Sequence, residues 1–127
     1  MISAAVIFLC VLIDYIARRL AAGVLKISRN AGAAFGIMSG SPELALWLSG
    51  AALLIILGVI YFADMKPFTR FGLSLMAGGA LSNLLERIFF GYVVDWIPVP
   101  FFDLRYNLAD VEISLGALIV FVMVNKS

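Results

Sequence analysis

LALWLSGAALLIILGVIYFA, Leu44 to Ala63, is a run of 20 residues without one charged side chain. About 20 apolar residues are what a helix needs to cross the hydrocarbon core of a bilayer. Working outward, Met1 to Ile13 is apolar, and the pattern continues through Asp14 and Arg18 toward Val24. Phe68 to Phe90 is apolar apart from Arg70 at its start and Glu86 and Arg87 near its end. Leu108 to Val124 is the last run, with Asp110 and Glu112 in its first turn or so. Only helices or closed barrels satisfy the backbone in lipid, and these runs are too long and continuous for alternating barrel strands. The expected fold class is an all-α membrane protein of four transmembrane helices, with residues 1–127 as a single four-span domain. The first run lacks a basic leader and a convincing cleavage site, so it reads as a retained span rather than a secretory signal.

Composition agrees and excludes much chemistry. Apolar residues make up 64% of the 127 and charged residues 13%, where soluble chains carry about a quarter. Mean hydropathy is +1.10. The net charge of +1 and the lack of a long basic run speak against nucleic acid as a partner. The chain has no histidine, which removes a His triad, a His metal site and a His proton shuttle. Its one cysteine, Cys10, lies in an apolar run and reads as a buried structural thiol. Chemistry, if any, falls to carboxylates, hydroxyls, amides, lysine or arginine.

Ionisable groups at membrane depth are costly and mark either function or an internal pair. Asp14 and Arg18 are four apart, on one helix face, and a structural ion pair accounts for both. Asn83 and Arg87 repeat that spacing within GGALSNLLERIFFG, residues 78–91, where Gly78 and Gly79 let another helix come close. Asn107 and Asp110 are three apart in NLAD at the entry to the last run, where a helix dipole favours an anion. Asp95 follows GYVV just after the third run, so both aspartates belong to one membrane face, joined by a 14-residue connection. Two carboxyls in a partly dry site cannot both ionise easily and share one proton. One can then activate water while the other protonates or polarises a scissile carbonyl, the chemistry of aspartic proteases, which needs neither metal nor nucleophilic side chain. On spacing alone the alternative stays open: Asp95 caps a loop and Asp110 caps a helix. The other loop carries RNAGAAFG, Arg29 to Gly36, whose small residues permit tight backbone approach and which also reads as a simple turn before a helix.

Even spacing puts both termini on one side and residues 25–43 and 88–106 on the other. The long-loop side holds Arg18, Arg19, Lys26, Arg29, Arg87 and Arg105; the opposite side holds Lys66, Arg70 and Lys126. By the positive-inside rule the long loops would be cytoplasmic.

Three blocks in order, RNAGAAFG at 29–36, GGALSNLLERIFFGYVVDWI at 78–97 and YNLADVEISLGA at 106–117, resemble the prolipoprotein signal peptidase (signal peptidase II) family. Asp14 with a basic residue four later resembles a further block. The resemblance implies four spans with a short extracytoplasmic loop/β cradle and an aspartic endopeptidase that cleaves a diacylglyceryl-modified prolipoprotein before its lipidated cysteine. It places the catalytic pair on Asp95 and Asp110 and the supporting residues on Asn30, Gly32, Asn83, Arg87 and Asn107, with Asp14 structural. It further implies a bacterial cytoplasmic (inner) membrane, membrane lipid as a partner, cytoplasmic termini and an active site at the outer face. That topology opposes the charge count and is preferred, because basic residues near lipid phosphates and a catalytic site are poor markers of orientation. A monomer is expected, with no cofactor, no metal and no nucleic acid.

Three departures from the family pattern stand out. Glu86 replaces the usual aspartate before Arg87, Arg18 replaces the usual lysine after Asp14, and the stretch between the first run and RNAGAAFG is short. A reduced cradle is expected to alter substrate range, and a non-catalytic membrane binder of lipid or lipoprotein is the alternative reading. A small transporter using a proton relay ranks last, because the key acids lie near span ends.

Overall fold

The computed structural model describes residues 1–32 and 40–126. Four helices form: α1 (Ile2–Val24), α2 (Pro42–Phe62), α3 (Pro67–Phe90) and α4 (Leu108–Asn125). Each matches an expected run to within two residues at either end. Short strands β1 (Ser28–Asn30), β2 (Val93–Asp95), β3 (Ile97–Pro98) and β4 (Arg105–Tyr106) lie in the two long connections. β1 pairs antiparallel with β2, setting Ser28 opposite Asp95 and Asn30 opposite Val93, and β3 pairs antiparallel with β4. The long connections thus form two two-stranded sheets at one end of the helices.

The helix ends follow from local chemistry. Pro42 opens α2 after Ser41, with Glu43 in the first turn, where an acid complements the dipole. Arg70 of α3 donates to the carbonyls of Ile60 and Ala63, so a cation covers the open C-terminal end of α2 and sets the α2–α3 turn. α3 ends at Gly91, whose φ of 78° is left-handed and whose N–H returns to the Arg87 carbonyl at 2.9 Å. That stop turns the chain into β2 and delivers Asp95 to the sheet.

Packing is inverted relative to a water-soluble bundle. The inward stripe of α1 is Ser3, Ile7, Cys10, Asp14, Arg18 and Ala21, spaced by threes and fours, while Phe8, Leu9, Leu12 and Ile16 face outward. α3 packs against all three other helices and buries small and polar residues, Gly72, Ser74, Ala77, Gly78, Gly79, Ser82, Asn83 and Glu86. A Cβ added at Gly78 would lie 2.6 Å from Cys10 Cβ, and one at Gly79 would lie 2.5 Å from the Ala109 carbonyl oxygen. The two glycines named by the sequence thus let α3 touch α1 and α4 respectively. A second crossing, Gly72 against Gly116, does the same lower in the bundle. Ile7, Leu53, Ile60 and Ala77 form an apolar core toward the end that holds the termini. The polar interior lies toward the strands.

α2 and α4 are long and apolar enough to cross a membrane, and only 17% and 11% of their most apolar stretches are buried inside the protein. Core helices of soluble proteins are mostly buried, so the exposed apolar surface calls for lipid. α1 and α3 have 23 and 24 residues but carry internal charges.

Candidate active site

Asn107 joins the two aspartates. It is the N-cap of α4: its side-chain oxygen accepts from Asp110 N–H at 3.1 Å, and its own N–H donates to Asp110 Oδ2 at 3.1 Å, a reciprocal capping box. Its Nδ2, pointing the other way, donates to Asp95 Oδ1 at 2.7 Å. With its oxygen spent on the helix, the Asn107 amide has one orientation; its Nδ2 holds the Asp95 carboxyl, and the backbone N–H of the same residue holds that of Asp110. The capping reading of Asp110 and the pairing reading are one arrangement.

Asp110 takes a further donor. Asn83 Nδ2 reaches Asp110 Oδ1 at 3.2 Å, and the Asn83 oxygen accepts from Arg18 Nη2 at 2.5 Å. Arg18 is 1% exposed and also donates to the carbonyl and hydroxyl of Ser82, at 3.3 and 3.1 Å. A guanidinium carries donors only, so it turns the Asn83 oxygen toward itself and the amide N–H₂ toward Asp110. This corrects the expected ion pair of Asp14 with Arg18. The guanidinium instead reaches across to α3, because Ser82 and Asn83 offer three acceptors on the facing helix. Asp14 is itself buried on the same helix as Arg18, at 1% exposure.

Asp95 is 3% exposed on β2, and burial pushes its carboxyl up to about 6. The Asn107 hydrogen bond opposes that rise, the negative field of Asp110 adds to it, and a hydrogen bond from Asn30 opposes it again. Asn30 also accepts from the N–H of Gly32 at 2.9 Å. Gly32 in turn offers its carbonyl to Arg87, whose Nε and Nη2 donate at 2.9 and 2.5 Å. Arg87 thus ties the loop after β1 to α3, over the aspartates. Asn83 and Arg87 share a helix face as expected, yet serve different partners. Ala33 to Gly36, the rest of RNAGAAFG, lie outside the described residues.

Asp95, Asp110, Asn30, Asn83, Arg87 and Asn107 all line one cavity of about 320 Å³. Its other walls are Ser49, Ala52 and Ile56 of α2, Met76 and Ala80 of α3, Val93 and Ile113. Two linked carboxyls at the polar end of an apolar cleft are suited to acid–base hydrolysis of a bond presented from lipid.

Sequence reading missed two features. Arg19 pairs with Glu86 through two contacts of 2.8 and 3.0 Å, its guanidinium 4.7 Å from the Phe90 ring centre and 5.3 Å from that of Tyr15. The longer glutamate is held by α1 and clamps the outer ends of α1 and α3. The Arg18–Asn83 contact was also missed. Sixty-five positions separate its partners, and no local pattern signals it.

The family model described as Signal peptidase (SPase) II matches residues 6–126. The chain is similar to the lipoprotein signal peptidase of Moorella thermoacetica, 40% identical over 101 residues, which are 76% of this chain and 64% of that one. It is also similar to that of Clostridium novyi, 40% identical over 99 residues, 72% of this chain and 65% of that one. The chain therefore spans just under two thirds of the length of these curated relatives. Among solved structures, a bacterial membrane enzyme determined in meso at 2.3 Å superposes with a TM-score of 0.85 at 25% identity, covering 98% of this chain and 87% of the other. A second such structure, at 1.9 Å, gives 0.84 at 24% identity, covering 98% and 93%.

Proposed function

The chain belongs to the signal peptidase II family, and on that premise we propose that it is an intramembrane aspartyl endopeptidase. The proposed substrate is a diacylglyceryl-modified prolipoprotein, cut just before the lipidated cysteine; the similar proteins are named lipoprotein signal peptidases. The observation that carries the reading is Asn107, whose side chain holds the Asp95 carboxyl and whose backbone N–H holds that of Asp110, in the lining of one cavity with apolar walls.

The chemistry follows from the two environments. Asp95, buried and pushed up to about 6, is the readier home for the shared proton. Asp110 accepts N–H donors on both oxygens at the first turn of α4 and serves as the carboxylate. Asp110 removes a proton from water as the oxygen attacks the scissile carbonyl, and Asp95 gives its proton to the carbonyl oxygen. Collapse of the tetrahedral diol returns a proton to Asp95, and Asp110 passes the other to the leaving cysteine nitrogen. Asn83 and Asn107 orient the carboxyls, and Arg87 with Asn30 and Gly32 closes the site from above. The protein works in the bacterial cytoplasmic membrane with all four helices spanning it, both termini cytoplasmic and the strands at the outer face.

Purified protein in detergent is incubated with a diacylglyceryl prolipoprotein and the mass shift followed on a gel. Asp95→Asn and Asp110→Asn should each lower turnover at least about 10³-fold while both proteins stay folded. Parent-like turnover in either variant removes the dyad. A folded parent that binds several prolipoproteins and cleaves none favours the second reading, a non-catalytic lipoprotein binder, to which strands of only two or three residues lend support.

A further inference from the structure

Two cavities of opposite character meet at Asp95 and Asn30. The first is the apolar-walled cleft of about 320 Å³ described above. The second, about 510 Å³, shares these two residues in its lining and is polar. Its walls are the α1–β1 connection, β1 and the β3–β4 hairpin, and its ionisable groups are Lys26, Arg29 and Arg105 against the carboxyls of Asp103 and Asp95. Lys26 and Arg29 are exposed, Arg105 is half-buried, and the Arg29 guanidinium lies 5.0 Å from the Tyr92 ring centre, which holds it over β2. The register sets Ser28 on the face of the Asp95 carboxyl and pairs Arg29 with Val94, and the three cations share with Asp95 the lining of one cavity.

In a peptide whose scissile carbonyl sits at Asp95, the apolar signal peptide and the lipid on the cysteine both belong in the cleft between α2, α3 and α4. The polar chain after the cysteine has to leave that cleft. We infer that the polar cavity is the subsite for the residues that follow the lipidated cysteine, and that its three cations select acidic over basic side chains there. The inference rests on the cleavage reading above and adds to it a substrate class: prolipoproteins whose mature chain begins with anionic residues. An exposed ion pair is worth about 0.2–1 kcal/mol, so three cations acting on two side chains correspond to about tenfold in affinity.

The test uses three diacylglyceryl lipopeptides that differ only in the two residues after the cysteine, Asp-Glu, Ser-Gly or Lys-Lys, with the full-length protein in neutral detergent. The acidic peptide should exceed the basic one in kcat/KM about tenfold, chiefly through KM. The gap should close at 1 M salt, where charges are screened within about 3 Å. In Lys26→Glu/Arg105→Glu, with each rate divided by that of the Ser-Gly peptide, the order should invert. Equal rates for all three peptides, or an order that survives the double substitution, overturns the subsite. A preference abolished by added phosphatidylglycerol vesicles also overturns it, since the cations would then hold lipid phosphate. If the parent does not cleave the Ser-Gly peptide, the peptidase reading fails by itself. Fluorescence anisotropy of the labelled peptides then decides the subsite separately: tighter acidic than basic binding, inverted in the double variant, supports it, and equal binding ends it.

Discussion

Arg18 shows how one buried side chain acts through another. Its donors fix the Asn83 amide, and that amide supplies an N–H to Asp110 Oδ1. Arg18→Met frees the amide to rotate and should cost about 10²-fold in kcat, since a misplacement of about 1 Å at a reacting group is worth that much. Arg18→Lys, which still offers N–H donors to the Asn83 oxygen, should recover most of the loss; steady-state kinetics of the two variants check it. Asp95 yields a prediction about stability. Its carboxyl is pushed from an ordinary 3.8 up to about 6 by burial, so the folded state holds this proton more tightly than the unfolded chain does. The contribution is therefore greatest below 3.8, is lost as pH rises through the window up to about 6, and is flat above it. Asp95→Asn removes that slope. Thermal unfolding in detergent should show the variant gaining on the parent across the window, by about 3 kcal/mol, and holding a constant lead above it. At this scale Asp95, Asp110, Asn83 and Asn107 were legible because polar residues in apolar runs need a reason. The direction of Arg18 was not legible, because a local i, i+4 rule pointed to Asp14 and a facing helix offered better acceptors.

At the scale of elements, α3 is the hinge of the design. It gives Asn83 to one carboxyl and Arg87 to the loop above, and its end at Gly91 aims β2 so that Asp95 reaches Asn107. Its approach to α4 depends on Gly79, where a side chain would meet the Ala109 backbone at 2.5 Å. Backbone cannot swing aside as a flexible side chain can. Gly79→Val should destabilise by about 1–3 kcal/mol or more and should abolish turnover even at temperatures where the variant is folded, as read by parallel unfolding and cleavage assays. The helix boundaries were legible almost to the residue, because unbroken apolar runs end at Gly, Pro and charged residues. The capping box at NLAD was legible as polar chemistry at a helix start, and Gly78 and Gly79 as a close contact. Which helices they contact was not legible, nor was the Gly72–Gly116 crossing. Glu86 looked like a small departure from the family pattern; its pairing with Arg19 of α1 makes it a clamp between helix ends.

At the scale of the whole molecule, the large apolar side chains face out and the small and polar ones face in, as a bilayer solvent demands. Phe101 and Phe102 stand fully or largely exposed at the tip of the β3–β4 connection. Orientation is checked by cysteine labelling in intact cells, in a Cys10→Ser background. Phe102→Cys should react with a membrane-impermeant reagent from outside, and Lys126→Cys only after lysis; the reverse pattern would restore the charge-count topology. The sequence by itself determined the class of solvent, the four helices, the end of the bundle where polar residues gather and the two aspartates that meet one asparagine there. Each of these rests on local hydropathy or on the cost of a polar group at membrane depth, both written along the chain. Only the tertiary structure decided that one asparagine links the aspartates, that Arg18 serves Asn83 rather than Asp14, and that a basic cavity abuts the apolar cleft at Asp95. Those outcomes depend on which acceptors a facing helix or strand presents within about 3 Å, and that is fixed by packing between residues far apart in sequence.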